Sequence, residues 1–554
     1  MIWWLGPLVF EEGRWDAFKS PIEKLFDSNK PVASTVWDDR AEQVKQAFVY
    51  AYDSYEKHAF PSDELLPLTG GYVNNFNGWG LTVFDALDTM WIMGLHDQFK
   101  RGVVLIANTT FPCKPTAFVP FFETVIRYLG GVLSGYALSG ETILLARADE
   151  LGMKLLPAFN TTSGFPRYAV NTETGETKMG WSWYALWAEL LSNQVEYKYL
   201  AHLTGRPEYY NKTERPMQTM YEFNFNPNNT NQDLFSTNWD IDTGRPAGTH
   251  FAVGAFADSA HEYLLKQWLL TGRSEPKALE LYLSSVNGIL NNLLYLTPTR
   301  QLLYATDIQF DKASHMFEHL SCFLPGLLAL GVHTLSSSTS ATEHVLFTER
   351  DKKMHMWAAE GLAHTCWTTY ADQESGLGPD IIDVMDYTEF ENGTRTGTEL
   401  EGARFDVKSG VPPGVPGYNG TEVQPERDPA KRDYRVRTPA YLLRPETVET
   451  FYIMWKTTGD VKWRERGWTI FQAIEEHART PYGYASIRDV SKVPVSQKDE
   501  MPSFFLAETL KYLYLLFSEE DLIPLDKWVL NTEAHPLPVF QWRAEEKQRY
   551  GIPL

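Results

Sequence analysis

Along most of this chain apolar residues return every three or four positions, the period of an α-helix with a buried face. In Tyr441-Leu442-Leu443-Arg444-Pro445-Glu446-Thr447-Val448-Glu449-Thr450-Phe451-Tyr452-Ile453-Met454-Trp455 the residues Val448, Phe451, Tyr452 and Trp455 follow the i, i+3, i+4, i+7 rule, with Pro445 suited to a first turn. The same period predicts helices over 36–58, 81–96, 119–138, 181–204, 254–271, 277–296, 315–332, 355–370, 446–457, 463–478 and 502–518, while strand-like alternation is scarce and short. Three of them end on a shared punctuation, at Gly205, Gly272 and Gly459, each placed to cap one helix before another aromatic-rich helix begins. Helix hairpins of this kind bury their inner faces by closing side by side, so the expected fold class is all-α, a single α/α barrel with minor β structure in its loops.

No composition break divides the chain. Residues 1–35 read as an N-terminal extension, with a trimmed targeting or anchor region expected there. The catalytic barrel is expected over 36–540, with a long loop insertion at about 386–440 that is rich in Gly, Pro and charge, and 541–554 reads as a C-terminal tail. Ser336-Ser337-Ser338-Thr339-Ser340 is a polar connection. No run approaches the roughly 18 apolar residues of a membrane span.

Acids stand where these helices should be apolar. Glu446 and Glu449 share one face of a greasy first turn. Alone, they would be explained by the helix N-terminal dipole and a lean into solvent. Repetition changes the weighing, because burying a carboxylate is costly unless it is paired, hydrogen-bonded or metal-bound. Asp85 and Asp88 punctuate another apolar helix, and Glu123 lies one turn from Arg127, where a simple intrahelical ion pair competes as an explanation. Asp258 and Glu262 are like charges at i, i+4, which a purely structural helix would avoid. Glu189, Glu196, Asp380, Glu508 and Glu533 interrupt similar surroundings. Acids converging inside a ring of helices suit two chemistries: binding a hard cation through oxygen ligands, and glycoside hydrolysis by a pair of carboxyl groups.

Composition narrows the choice. Hydrophobic residues at 43% and aromatics at 14% supply a large core, and aromatic faces also suit sugar rings. A net charge of −21 argues against a nucleic-acid partner. No P-loop, GxSxG, GxGxxG, HExxH, EF-hand or CxxC motif is present. Sequons at Asn108, Asn160, Asn211, Asn228, Asn392 and Asn419 favour an oxidising, secretory lumen. Of three cysteines, Cys322 and Cys366 lie in strong helical segments and can pair, leaving Cys113 odd, although spacing decides neither assignment.

From residue 40 to 540 the chain resembles glycoside hydrolase family 47, the class I α-1,2-mannosidases of the endoplasmic reticulum and Golgi. The likeness is carried by Gly78-Trp79-Gly80 through Asp85-Ala86-Leu87-Asp88-Thr89, Phe122-Glu123-Thr124-Val125-Ile126-Arg127-Tyr128-Leu129-Gly130-Gly131, Tyr263-Leu264-Leu265-Lys266-Gln267-Trp268, His319-Leu320-Ser321-Cys322-Phe323-Leu324-Pro325-Gly326, Leu443-Arg444-Pro445-Glu446-Thr447-Val448-Glu449, Ser503-Phe504-Phe505-Leu506-Ala507-Glu508 and Asn531-Thr532-Glu533-Ala534-His535-Pro536. The resemblance implies an (α/α)7 barrel and inverting, calcium-dependent trimming of terminal α-1,2-linked mannose from high-mannose N-glycans. The implied setting is a monomer in the ER or Golgi lumen, or secreted, held to a membrane only through a missing anchor.

By resemblance, Glu123 and Asp258 are the candidates for the acid side, with the choice between them open, and Glu446 is the base. Thr532 matches the direct calcium ligand, and Glu449, Glu508 and Glu533 match holders of the ion's waters. Asp85, Arg127, Glu262, Asp380, Arg444 and Phe504 match substrate-binding positions, and Cys322 and Cys366 match the family's disulfide. Two departures stand out. Gly376-Leu377-Gly378-Pro379-Asp380 has Asp where the family usually has Glu, and Phe256 replaces the arginine of the ER-type branch, which implies looser branch selectivity. The alternatives are a weakly active mannosidase-like lectin of glycoprotein quality control, and a non-catalytic α/α-barrel interaction protein.

Overall fold

The helices are of two kinds, and the difference lies in their sequences. Val36–His58 is amphipathic, burying Val44, Phe48, Tyr52 and Tyr55 while its other face stays charged. Asp258–Leu270 is buried at every position after Asp258, as befits a helix enclosed on all sides. In chain order, the outer helices Val36–His58, His96–Asn108, Thr142–Leu155, Pro207–Asn224, Pro276–Asn292, Glu349–Ala371 and Lys462–His477 alternate with inner ones. The inner set is Leu87–Ile92, Gly130–Ser139, Gln194–Thr204, Asp258–Leu270, Leu324–Ser336, Glu446–Thr458 and Leu510–Phe517. Each inner helix packs on the next, and Leu87–Ile92 meets the turn Phe505–Thr509 to shut the ring. The result is the expected (α/α)7 barrel, seen in a computed structural model that describes residues 35–553 except 181–182, 230–232, 298, 311, 337–345 and 385–422. Residues 1–34, most of the 386–440 insertion and the sequons at Asn392 and Asn419 lie outside the described residues.

Local signals explain several boundaries. Thr35 accepts from Asp38 N–H in a capping box that starts Val36–His58. Gly205 and Gly459 take φ of 69° and 70° as C-caps, the conformation for which glycine carries no Cβ penalty. The third predicted cap is displaced by one residue: Thr271 ends the helix, and Gly272 and Arg273 turn left-handed after it. Thr142–Leu155 and Pro207–Asn224 were not legible as helices, the second because Pro216 sits inside a mostly polar run. The pattern at 315–332 resolves into a strand Met316–Glu318, a tight turn His319–Phe323 and the helix Leu324–Ser336. One window, His319–Ser336, is apolar and long enough to cross a membrane, contrary to the sequence reading, but 83% of it is buried in the barrel wall.

Cys322 and Cys366 form a disulfide across a separation of 44 residues, which ties the start of one inner helix to the outer helix Glu349–Ala371. A loop of that length corresponds to about 4 kcal/mol of unfolded-state entropy. Within 541–553, part of the segment read as a tail, Trp542, Glu546 and Ile552 are buried, and Tyr550 stacks on Tyr210.

The strands are short antiparallel pieces in the connecting loops. The hairpin Trp528–Leu530 with Pro536–Pro538 positions the site. It packs between Asp258–Leu270 and Gly130–Ser139 and carries residues 531–535 at its tip. Glycines let it approach. A Cβ on Gly131 would stand 2.3 Å from the carbonyl oxygen of Phe84, and one on Gly130 would stand 2.7 Å from Asn531 Nδ2.

Candidate active site

Two inner helices begin at the same place. Asp258 is the first residue of one and Glu446 of the other, so both carboxyl groups sit at positive helix ends. The turn into the second is forced. Leu443, fully buried, holds φ 59°, and its carbonyl is pinned by Thr509 Oγ1 at 2.7 Å, which aims Arg444 and Glu446 inward. Around them lies a pocket of roughly 790 Å³, mouth included, lined by seven acids (Glu123, Asp258, Glu262, Glu446, Glu449, Glu508, Glu533) and two arginines (Arg127, Arg444), with Phe504 and Thr532. Residues spread over four hundred positions therefore meet at one spot, in large excess of negative charge.

The pocket separates its acids by environment. Burial alone would raise Glu446, but the hydrogen bond from His319, with the charges of His319 and Arg444, holds it below the usual carboxylate range. His319 Nδ1 lies 2.8 Å from Glu446 Oε2, and because an ionised carboxylate only accepts, Nδ1 carries the proton. Its Nε2 faces Tyr370 Oη at 2.6 Å. Asp258 goes the other way. Burial, reinforced by the charges of Glu262 and Glu446, pushes it up to about 8 in spite of a hydrogen bond from Ser259 N–H. Glu123 is different again, held by Arg127 Nε at 2.7 Å. A carboxylate and a carboxylic acid thus coexist at neutral pH, the pairing that acid–base catalysis requires.

Below them is a floor of acids and Thr532, into which Lys266 and Arg127 also reach. Burial and the charges of Glu533 and Glu446 raise Glu508 well above the usual range, with Arg127 opposing. Glu533 is raised by burial, with Asp85 and Glu123 adding to it against the pull of Arg127, whose Nη1 it binds. Glu449 is raised by burial and by Glu262. Glu262 accepts from Lys266 Nζ at 2.5 Å and from the Thr532 hydroxyl. Crowded carboxyl groups of this kind must take up protons or share a cation. A donor set of a threonine and acids suits a hard ion such as calcium. Among the described residues no group of three His, Cys, Asp or Glu side chains is arranged to grip a metal directly.

Behind the wall, Asp85 and Asp88 are fully buried. His535 bridges them, Nε2 to Asp85 at 3.2 Å and Nδ1 to Asp88 at 2.8 Å, and Lys511 Nζ reaches Asp88 at 2.9 Å and Ala534 O at 2.7 Å. This charged cluster pins the hairpin tip. Asp85, placed by resemblance among the substrate contacts, bonds Ser503 and His535 and meets the pocket through Arg127, 3.7 Å away, and Glu533. Asp380 pairs with Arg444 Nε at 3.0 Å beside the pocket. The guanidinium of Arg127 also lies 5.8 Å from the Phe504 ring centre. Glu189 is raised to about 7 by burial and Glu123, and Glu196, raised to about 7 by burial, lies beneath the tip, where it bonds Asn531.

Sequence reasoning gave no role to His319, Lys266, Lys511 or His535. For Lys266 a signal existed: it follows Glu262 by four positions in a helix that is apolar on its other faces. Four sequon asparagines, Asn108, Asn160, Asn211 and Asn228, are exposed.

Comparison with known proteins follows the same lines. The family profile described as "Glycosyl hydrolase family 47" matches residues 47–539. The chain is 32% identical over 510 residues (91% of it, 68% of the relative) to "Mannosyl-oligosaccharide alpha-1,2-mannosidase IA" of Drosophila melanogaster. It is 35% identical over 563 residues (98% of it, 75% of the relative) to "Endoplasmic reticulum mannosyl-oligosaccharide 1,2-alpha-mannosidase" of Mus musculus. An α-1,2-mannosidase from Trichoderma reesei superposes with a TM-score of 0.75 at 26% identity, covering 91% of this chain and 99% of that one.

Proposed function

This chain belongs to glycosyl hydrolase family 47 and is a glycoside hydrolase, and we propose that it removes terminal α-1,2-linked mannose from high-mannose N-glycans, with inversion and with calcium as cofactor. The observation that carries the proposal is the meeting of Glu446, bound by His319, and Asp258 at two helix starts in one acid-lined pocket, in surroundings that push their proton affinities apart. Glu446, kept ionised and oriented by His319, takes a proton from the attacking water. Asp258, kept protonated, supplies the proton side of the reaction toward the leaving oxygen, while Glu123 stays paired with Arg127. The ring of Phe504 packs against the sugar, and Arg127 and Arg444 take its hydroxyls. Thr532, with Glu449, Glu508 and Glu533 through water, would hold a calcium ion, which would supply positive charge to the crowded floor.

The names of the relatives and the exposed sequons support work in the secretory pathway, in the ER or Golgi lumen or after secretion. Phe256, 37% exposed at the rim and without the guanidinium an arginine would offer a particular branch, supports loose branch selectivity.

One experiment tests both readings: timed hydrolysis of a nine-mannose glycan with and without a chelator. Turnover is expected to fall at least about tenfold on chelation and to return with added calcium. Digestion without chelator is expected to continue past the first released mannose. Unchanged turnover in chelator would remove calcium from the mechanism, and a clean stop after one release would remove the selectivity reading.

A further inference from the structure

Glu196 belongs to the acids that interrupt apolar helices, yet the pocket does not use it. It lies in Gln194–Thr204 with no exposed surface. Its Oε1 accepts two hydrogen bonds, from Tyr263 Oη at 2.6 Å and from Asn531 Nδ2 at 2.7 Å, while Oε2 has no hydrogen-bond partner among the described residues. Both donors continue into the hairpin tip. Tyr263 Oη accepts the Thr532 N–H at 3.4 Å, and Asn531 Oδ1 accepts the N–H groups of Glu533 at 2.9 Å and His535 at 2.8 Å. Asn531 Nδ2 also reaches Ile126 O at 3.0 Å. One buried oxygen therefore holds two side chains that grip backbone N–H groups at and just after Thr532, beside the lysines Lys266 and Lys511 that reach the carbonyls of Asn531 and Ala534.

We propose that Glu196 is a positioning residue for the cation site, fixing the Thr532 hydroxyl and carbonyl oxygens through Tyr263 and Asn531. The inference rests on the calcium reading above. Both of these side-chain hydrogen bonds come from groups that hold the tip, so the bonding of Glu196 serves the tip. Orienting groups behind metal ligands commonly set affinity by roughly 10–100-fold.

The test is calorimetric titration of calcium into metal-free wild type, Glu196→Ala, Glu196→Gln and Tyr263→Phe, with the thermal midpoint of each metal-free protein measured alongside. Glu196→Ala and Tyr263→Phe are expected to weaken calcium binding by roughly 10–100-fold. Glu196→Gln, which keeps an Oε1 acceptor, is expected to stay near wild type. A merely structural role would lower the metal-free midpoint and leave the calcium constant alone. That result in Tyr263→Phe would overturn the proposal, as would Glu196→Gln binding as weakly as Glu196→Ala. Tyr263→Phe keeps the ring and decides the matter if Glu196→Ala does not fold. A wild type that takes up no calcium removes the calcium reading and this inference with it, whereas a calcium-binding wild type with unaffected variants removes the inference alone.

Discussion

Glu446→Gln is expected to lower kcat by about a thousandfold while glycan binding survives, within the range usual for a general base. Glutamine preserves the shape of the side chain and can still meet His319, whose Nδ1 lies 2.8 Å from Glu446 Oε2. It cannot accept a proton from water. The rest of the pocket, including Phe504 and the two arginines, is untouched, so affinity measured with an uncleaved high-mannose glycan should change little. Loss of binding in parallel with turnover would mean that Glu446 serves mainly to hold substrate. Unchanged turnover would remove Glu446 from the role of base.

Asp258→Asn is expected to reduce kcat by about 10²–10⁴-fold, as loss of a positioned acid does. The same substitution should alter the pH profile in a way that fixes the sign of the argument. Glu446 must be ionised to work. Its affinity for protons is lowered in the folded protein, so its contribution is lost only below the ordinary carboxylate range. Asp258 must be protonated. It is raised to about 8, so kcat/KM should hold through neutrality and fall as pH climbs through about 8. In Asp258→Asn that alkaline limb should vanish from the residual activity. A limb that persists would assign the proton elsewhere, with Glu123 the next candidate despite its pairing with Arg127.

Much of this site was legible because buried charge is expensive. Asp258 and Glu262, like charges one turn apart, and Glu508, in a helix greasy on nearly every side, announced themselves by breaking a local rule, and the structure brings all three to one pocket. The helical period likewise gave Val36–His58 with its observed ends, because one face of that helix meets water. It failed at 315–332, where a strand and a tight turn enter an inner helix apolar throughout, leaving no contrast to read. His319 and His535 escaped for another reason. An imidazole in an apolar stretch is an ordinary core residue until its partners are known, and those partners, Glu446 and the pair Asp85 and Asp88, lie 127 to 450 positions away. Asp85 carried the same signal as Glu508, yet faces inward behind Arg127, since a misplaced acid marks a buried polar site without saying which side of the wall it serves.

The central claim is that two carboxyl groups in opposite protonation states act across the sugar, one on the leaving oxygen and one on a water. Proton NMR of the first mannose released from an α-1,2-linked substrate tests it most directly, before mutarotation mixes the anomers. Attack by water on the face opposite the leaving group should give β-mannose first. α-Mannose appearing first would require a covalent intermediate or attack from the same face, and would contradict the role assigned to Glu446.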